Sequence, residues 1–261
     1  MARTLRDVEG EALDCHKCPL CETRNSVVFG VGNADAQVMF IGEAPGKQED
    51  LGAEPFIGAA GQYLNELLGF AGLKREEIYI ANVLKCRPPG NRDPQPDEIE
   101  LCTPFLRDQI RAVRPDVLVT LGNFSTRFVL KTDRGITSLR GKLYQVGRFQ
   151  VLPIFHPAAA LYSPDKKPLL EHDFKLLGAY LANLNGLPGT ASPAEAAAMD
   201  AALSDAEASS LAPEAIGSTV AELEERAAAR RASQSADSSA AESEQESIFD
   251  ISDGAGTQGN A

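Results

Sequence analysis

Four short apolar, β-branched runs, each followed by a helical pattern, constrain the fold of this chain more than any other feature. They are Gln37–Ile41 (QVMFI), Ile78–Asn82 (IYIAN), Asp116–Leu121 (DVLVTL) and Gln150–Phe155 (QVLPIF). None shows the polar alternation of a half-exposed strand. Continuous runs of this length suit strands covered on both faces. Helical patterns lie between and after them at Gly58–Gly72, Asp97–Val113, Asn123–Leu130 and Leu169–Leu184, with Pro96 opening one helix and Gly72 and Gly122 as punctuation. Repeated strand–helix units predict an α/β fold: a three-layer α/β/α sandwich around a central, mainly parallel four-stranded sheet.

The pattern stops near residue 186, where Ala, Ser, Glu and Asp take over and aromatics almost vanish. Residues 1–185 are therefore read as the folded domain and 186–261 as a largely disordered acidic tail. Within the tail, Ser218–Arg231 suits one short helix, and Glu246–Ile251 (ESIFDI) is either a docking segment for a repair partner or a stray apolar patch. The tail carries 14 acidic and 3 basic side chains, against 23 and 22 in residues 1–185, so nearly all of the net charge of −12 belongs to it. A near-neutral domain can still show a basic face to a polyanion. Two clusters qualify, Lys85, Arg87 and Arg92, and then Lys131, Arg134, Arg140 and Lys142. No apolar run reaches the roughly 18–20 residues of a membrane span, and the N-terminus lacks the apolar core of a signal peptide. The chain reads as cytoplasmic, where thiols stay reduced.

Parallel sheets of this kind bind ligands beyond the carboxyl ends of their strands. The unusual residues of this sequence fall there. Gly42-Glu43-Ala44-Pro45-Gly46 follows the first run, Asn82 ends the second, and His156-Pro157 follows the last.

Five cysteines form a second constellation: Cys15 and Cys18 as a CxxC, Cys21 at the same spacing, Cys86 beyond the second strand, and Cys102 in the helix after it. A CxxC turn brings two thiolates to one metal or cluster, and two distant cysteines complete four ligands while pinning the N-terminus to the domain. Spacing leaves zinc and iron–sulfur open, and it offers five candidates for four places. Cys21 is able to replace Cys102 or to pack in the core.

From about Cys15 to Leu184 the chain resembles the family 4, iron–sulfur uracil-DNA glycosylases. The resemblance rests on CHKC, GEAPGKQED, EPFIGAAGQYLNELL, IANVLKCRPPGNRDPQPDEIELC, LGNFSTRFVL and FHPAAAL, in that order. It implies a repair enzyme that flips uracil out of DNA and hydrolyses its glycosidic bond, acting as a monomer on uracil-containing DNA and leaving an abasic site. It also implies a 4Fe–4S cluster on Cys15, Cys18, Cys86 and Cys102, with Cys21 left over.

By the same resemblance, Phe56 stacks on the base and Asn82 reads the N3–H and O4 edge of uracil with its carbonyl and amide. His156 donates to O2 of the departing anion, and backbone N–H groups of Gly42, Glu43 and Ala44 lie near the base. Glu49 closes the pocket at C5, where thymine carries a methyl. Glu43 is the second motif acid, and Asn91 is a candidate for orienting water or contacting phosphate. Leu161, or else Tyr162, is the wedge for the vacated stack. Ala44 stands where the family 1 pattern has a water-activating aspartate, so no single general base is named. GEAPG, rather than GEQPG, points to turnover instead of covalent trapping, and Glu43 separates the chain from family 5. Two rival readings are a non-catalytic iron–sulfur DNA-binding protein and a polymerase-associated glycosylase-like domain.

Overall fold

The structure, a computed structural model, describes residues 3–185. The expectations for the 186–261 tail, including the Ser218–Arg231 helix and the ESIFDI segment, lie outside the described residues. The chain opens with helix α1 (Leu5–Leu13), begun by a reciprocal cap. The Asp7 N–H donates to Thr4 Oγ1 at 3.3 Å, and the Thr4 N–H donates to Asp7 Oδ2 at 3.0 Å. There follow α2 (Leu20–Thr23), β1 (Val31–Gly32), β2 (Val38–Gly42), α3 (Lys47–Gly52) and α4 (Ala59–Phe70). Next come β3 (Tyr79–Asn82), α5 (Pro96–Val113), β4 (Val117–Leu121), α6 (Asn123–Leu130) and α7 (Ile136–Leu139). The last elements are β5 (Tyr144–Val146), β6 (Phe149–Ile154), α8 (Ala158–Tyr162) and α9 (Lys167–Asn185).

The strands form one sheet in the order β1-β3-β2-β4-β6-β5. The four expected strands are its parallel centre, and β1 and β5 add short antiparallel edges. Side chains leave successive strand residues to opposite faces, so each central strand feeds two cores. Phe40, Ile80, Val119 and Leu152 pack beneath α4 and α9, with the Phe40 and Phe174 rings stacked at 5.9 Å. Met39, Ile41, Ala81, Leu118 and Val151 pack beneath α5 and α6. Burying a side chain as large as Phe40 contributes about 1.5–3 kcal/mol, which explains why the runs are dominated by apolar residues.

A third, smaller core joins α1 and α2 to α5 through Val8, Leu20, Phe29, Leu84 and Phe105. Cys86 and Cys102 belong to it. Among the described residues no helix is long and apolar enough to cross a membrane.

Parallel register aligns the strand ends that matter. Gly42 pairs with Asn82 across β2 and β3, and Leu121 pairs with Ile154 across β4 and β6. The ladder runs one step further, with the Val83 N–H donating to the Gly42 carbonyl and the Leu84 N–H to that of Glu43, both at 3.0 Å. The segments after these strands therefore emerge side by side.

Candidate active site and cysteine pocket

At those ends lies a cavity of about 340 Å³, within the usual range for small-molecule sites. Glu43, Ala44 and Glu49 line it from the β2 side, Phe56 and Asn82 from below, and Asn91 and His156 from the flanks. Gly42 lies against two of these lining side chains. A Cβ placed there would sit 2.2 Å from Asn82 Oδ1 and 2.9 Å from Phe56 Cε2, so only glycine lets both side chains close over β2.

Phe56 is held in an uncommon conformation, with φ at +55°. For a bulky residue that backbone costs on the order of 1 kcal/mol or more and needs outside support. Two features supply it. Glu49 Oε1 accepts from the Gly58 N–H at 2.9 Å and from the Ile57 N–H at 3.2 Å. Gly61 lies against the turn so closely that a Cβ there would be 1.7 Å from the Phe56 carbonyl oxygen. Glu49 is thus both a cavity wall and the anchor of the aromatic turn.

His156 follows β6, its ring 5.4 Å from that of Phe56 and inclined by 27°. Its Nδ1 accepts from the Ala158 N–H at 3.2 Å, which leaves Nε2 to carry the proton of the neutral ring. Burial pushes the imidazole down to about 4, partly opposed by Glu49. At neutral pH the side chain is an uncharged N–H donor. Because its folded value lies below the ordinary 6.5, the fold favours the neutral ring, and that contribution is complete above pH 6.5. It drains away as pH falls toward 4, up to about 3 kcal/mol over that window. Denaturant melts between pH 7 and pH 4.5 should therefore show wild type losing more stability than His156→Asn; parallel curves would contradict the assignment.

Burial also raises the Glu43 carboxyl, with Asp93 adding to the effect. Asn91 Oδ1 accepts from Arg87 Nε at 2.7 Å, and Arg92 forks onto the buried Glu98 at 2.9 and 2.6 Å. These contacts fix the loop that carries Pro88 and Asn91. Beyond His156, α8 leads to Leu161 and Tyr162, which are 46% and 86% exposed.

The cysteines gather at a second pocket. Cys15, Cys18, Cys21, Cys86 and Cys102 line it together with Arg24, Lys85 and Phe105. Arg24 Nη1 donates to Cys86 Sγ at 3.4 Å, and the Lys85 N–H to Cys102 Sγ at 3.2 Å. Two residues on, Pro104 within α5 has no N–H for the Glu100 carbonyl, which accepts instead from the Thr103 hydroxyl at 3.4 Å. Burial pushes the Cys102 thiol up to about 12 and those of Cys86 and Cys18 upward. Such thiols are poor nucleophiles at neutral pH, which argues against a catalytic or exchanging pair, whereas a bound metal would deprotonate them. The soft sulfur set, flanked by N–H donors and the Arg24 guanidinium, fits an iron–sulfur group.

Two members of the expected basic clusters are not on the surface. Lys85 is 1% exposed, its ammonium hydrogen-bonded inside the domain. Arg140 is locked to Asp173, with contacts of 3.0 and 2.7 Å. Both have acceptors distant in sequence, so neither burial was visible as a local pattern.

Three further contributors were not among the expected site residues. Asp50, beside Glu49 in GKQED, is buried and accepts from the Asn25 N–H at 2.9 Å and the Ser26 N–H at 3.3 Å. It ties α3 to the segment after the cysteine turn. Gly61 lies within a recognisable motif, but its contact with Phe56 has no sequence signature. Arg24 had no signal at all.

The sequence pattern of the Uracil DNA glycosylase superfamily matches residues 29–182. A type-4 uracil-DNA glycosylase of Archaeoglobus fulgidus is 48% identical over 183 residues, covering 67% of this chain and 92% of that protein. One from Sulfurisphaera tokodaii is 43% identical over 182 residues, covering 66% of this chain and 82% of the relative. A DNA polymerase of Bacillus phage SP01 is 30% identical over 173 residues, which cover 66% of this chain but only 18% of the polymerase.

Proposed function

Because the chain belongs to the uracil DNA glycosylase superfamily, in its type-4 branch, we propose that it excises uracil from DNA by hydrolysing the N-glycosidic bond, the first step of base excision repair. The observation that carries this reading is the convergence of Asn82, Phe56 and His156 on one cavity at the strand ends.

Uracil within a duplex is out of reach, so the nucleotide must rotate into the cavity at a cost of a few kcal/mol for unstacking. Leu161, exposed at the end of α8, fills the gap in the stack. Phe56 packs on the base. The Asn82 amide pairs with O4 and N3–H, an edge that cytosine presents with reversed polarity. As the bond lengthens, negative charge collects on O2. The neutral His156 donates to it from Nε2, without reorganisation at the moment of reaction. Backbone N–H groups of the Gly42–Ala44 turn add to that stabilisation. Glu49, fixed by the Ile57 and Gly58 amides, occupies the C5 side and excludes a methyl group.

The sugar becomes cationic in the same step, and an oxocarbenium-like centre reacts readily with a placed water. Glu43, raised by burial, and Asn91, bonded to Arg87, both line the cavity and are the groups assigned to hold that water. Cys15, Cys18, Cys86 and Cys102 would hold a 4Fe–4S cluster. When bound, it supplies four metal–sulfur bonds that brace the N-terminal segment against the loop before α5.

The substrate partner is uracil-containing DNA. The cavity is complete within one chain, which supports action as a monomer. Five free cysteines suit the reducing cytoplasm. The acidic tail is assigned to a repair partner on its charge alone.

An oligonucleotide with one uracil, incubated with the protein and then treated with alkali, should break at that position. No scission above a uracil-free control would overturn the enzyme reading and favour the DNA-binding rival. Asn82→Ala should cut at least about 10²-fold more slowly while keeping its iron absorbance. Equal loss of both would show that Asn82 serves the fold instead.

A further inference from the structure

Lys85 lines the cysteine pocket, yet its side chain reaches back to the strand end that carries Asn82. It follows β3, three residues after Asn82, and its ammonium is buried. Nζ donates to the Asn82 carbonyl at 2.7 Å and to Gln109 Oε1 at 2.5 Å. Gln109, itself fully buried on α5, donates from Nε2 to the Phe29 carbonyl at 2.9 Å and to the Tyr79 hydroxyl at 3.1 Å. The chain is thereby tied from the end of β3 to α5 and back to the start of the same strand. The residue is also held by its backbone, whose N–H donates to Cys102 Sγ.

Burying a lysine is costly unless its donors are satisfied, and a surface lysine would serve solubility better. Satisfying the last carbonyl of a strand does not require a charge either, since a water or a loop amide would do. What a rigid, doubly anchored ammonium adds is a fixed position for the peptide that carries Asn82. That peptide needs fixing. Its side chain presses against Gly42 so closely that a single Cβ would displace it, so a small rotation at the strand end moves the amide off the base edge.

We propose that Lys85 is a positioning residue for base reading, its ammonium holding the Asn82 peptide so that the side-chain amide meets uracil in register. The inference rests on the uracil-excising reading above. Lys85 touches no substrate and acts only through Asn82, with Gln109 as its second anchor.

A double-mutant cycle isolates that dependence. Single-turnover excision is measured for wild type, Lys85→Met, Asn82→Ala and the double variant, with iron content and visible absorbance recorded for each. Lys85→Met should lower the maximal rate by about 10–100-fold, as expected for a misplaced contact, with little change in half-saturating DNA concentration and full iron content. The double variant should be no slower than Asn82→Ala alone. Multiplying effects, or a Lys85→Met rate equal to wild type, would overturn the proposal. If Lys85→Met does not fold or loses iron, Gln109→Met removes one anchor and leaves the lysine. It should show the same non-additivity with Asn82→Ala, and a wild-type rate there overturns the proposal equally. An inactive wild type, by contrast, would sink the excision reading itself.

Discussion

Gly42→Ala should yield a folded protein that has lost uracil excision by on the order of 10⁴-fold. Gly42 is not among the residues of positive φ and lies in β2, so alanine brings no backbone strain there. The damage is confined to what the methyl meets: Asn82 Oδ1 at 2.2 Å and the Phe56 ring at 2.9 Å. Neither can retreat easily. Asn82 is buried at a strand end, and Phe56 is fixed from one side by the Glu49-bound amides and from the other by Gly61. One methyl therefore displaces both the side chain proposed to read the base and the ring proposed to stack on it. Removing a single positioned contact costs about 10²–10³ in rate, and misplacing a second adds roughly another 10². Far-UV circular dichroism and iron content should match wild type. Activity within tenfold of wild type would mean that the pocket yields, and that its tight packing does not select the base.

The second large effect is expected at the cysteines. Cys102→Ser should lose the visible iron–sulfur absorbance and melt well below wild type, whereas Cys21→Ser should keep both. The N-terminal segment meets the domain through a modest core, and two of that core's members, Cys86 and Cys102, are themselves proposed ligands. Metal bonds there count directly as folding free energy. Losing one ligand removes a bond and leaves a buried hydroxyl beside the Lys85 amide. Cys21 lines the same pocket from α2 and is half-buried like Cys15 and Cys18, so it is the resemblance to the type-4 family that leaves it over. Visible spectra and thermal melts of the two serine variants decide the matter. Zinc in stoichiometric amount, with no iron, in anaerobically purified wild type would defeat the cluster assignment.

The central sheet was legible because strands covered on both faces are dominated by apolar residues, as in QVMFI and DVLVTL, where the one buried hydroxyl, that of Thr120, is satisfied by Thr126. The edge strands were not. Val31–Gly32 and Tyr144–Val146 are short and part-exposed, with no continuous apolar signature. The site was legible through topology, since parallel strands deliver their unusual residues to one side, and the cavity gathers Glu43, Asn82 and His156 as that rule predicts, while Phe56, between α3 and α4, was reached only through the resemblance. What sequence concealed was the support. Lys85 and Arg140 read as surface charge because the groups that bury them, Gln109 and Asp173, lie 24 and 33 residues downstream. The left-handed turn at Phe56 was hidden for a similar reason. It depends on Glu49 and Gly61 acting from opposite sides.

That same Arg140 bears on how the protein withstands its substrate. A duplex forced apart pushes back, and a loop standing alone would bend before the stack opened. Here the segment from His156 to Tyr162 is bracketed by β6 and α9. Arg140 clamps the far bracket, donating to the Leu169 carbonyl at 2.9 Å and to an Asp173 that is 0% exposed. Its guanidinium also lies 5.4 Å from the ring of Phe155, next to His156. With Leu161 as the proposed wedge, recoil on it would be carried past the histidine into a buried abutment rather than absorbed by the loop, and the proposed lever is seated in the same masonry as the group proposed to receive the base.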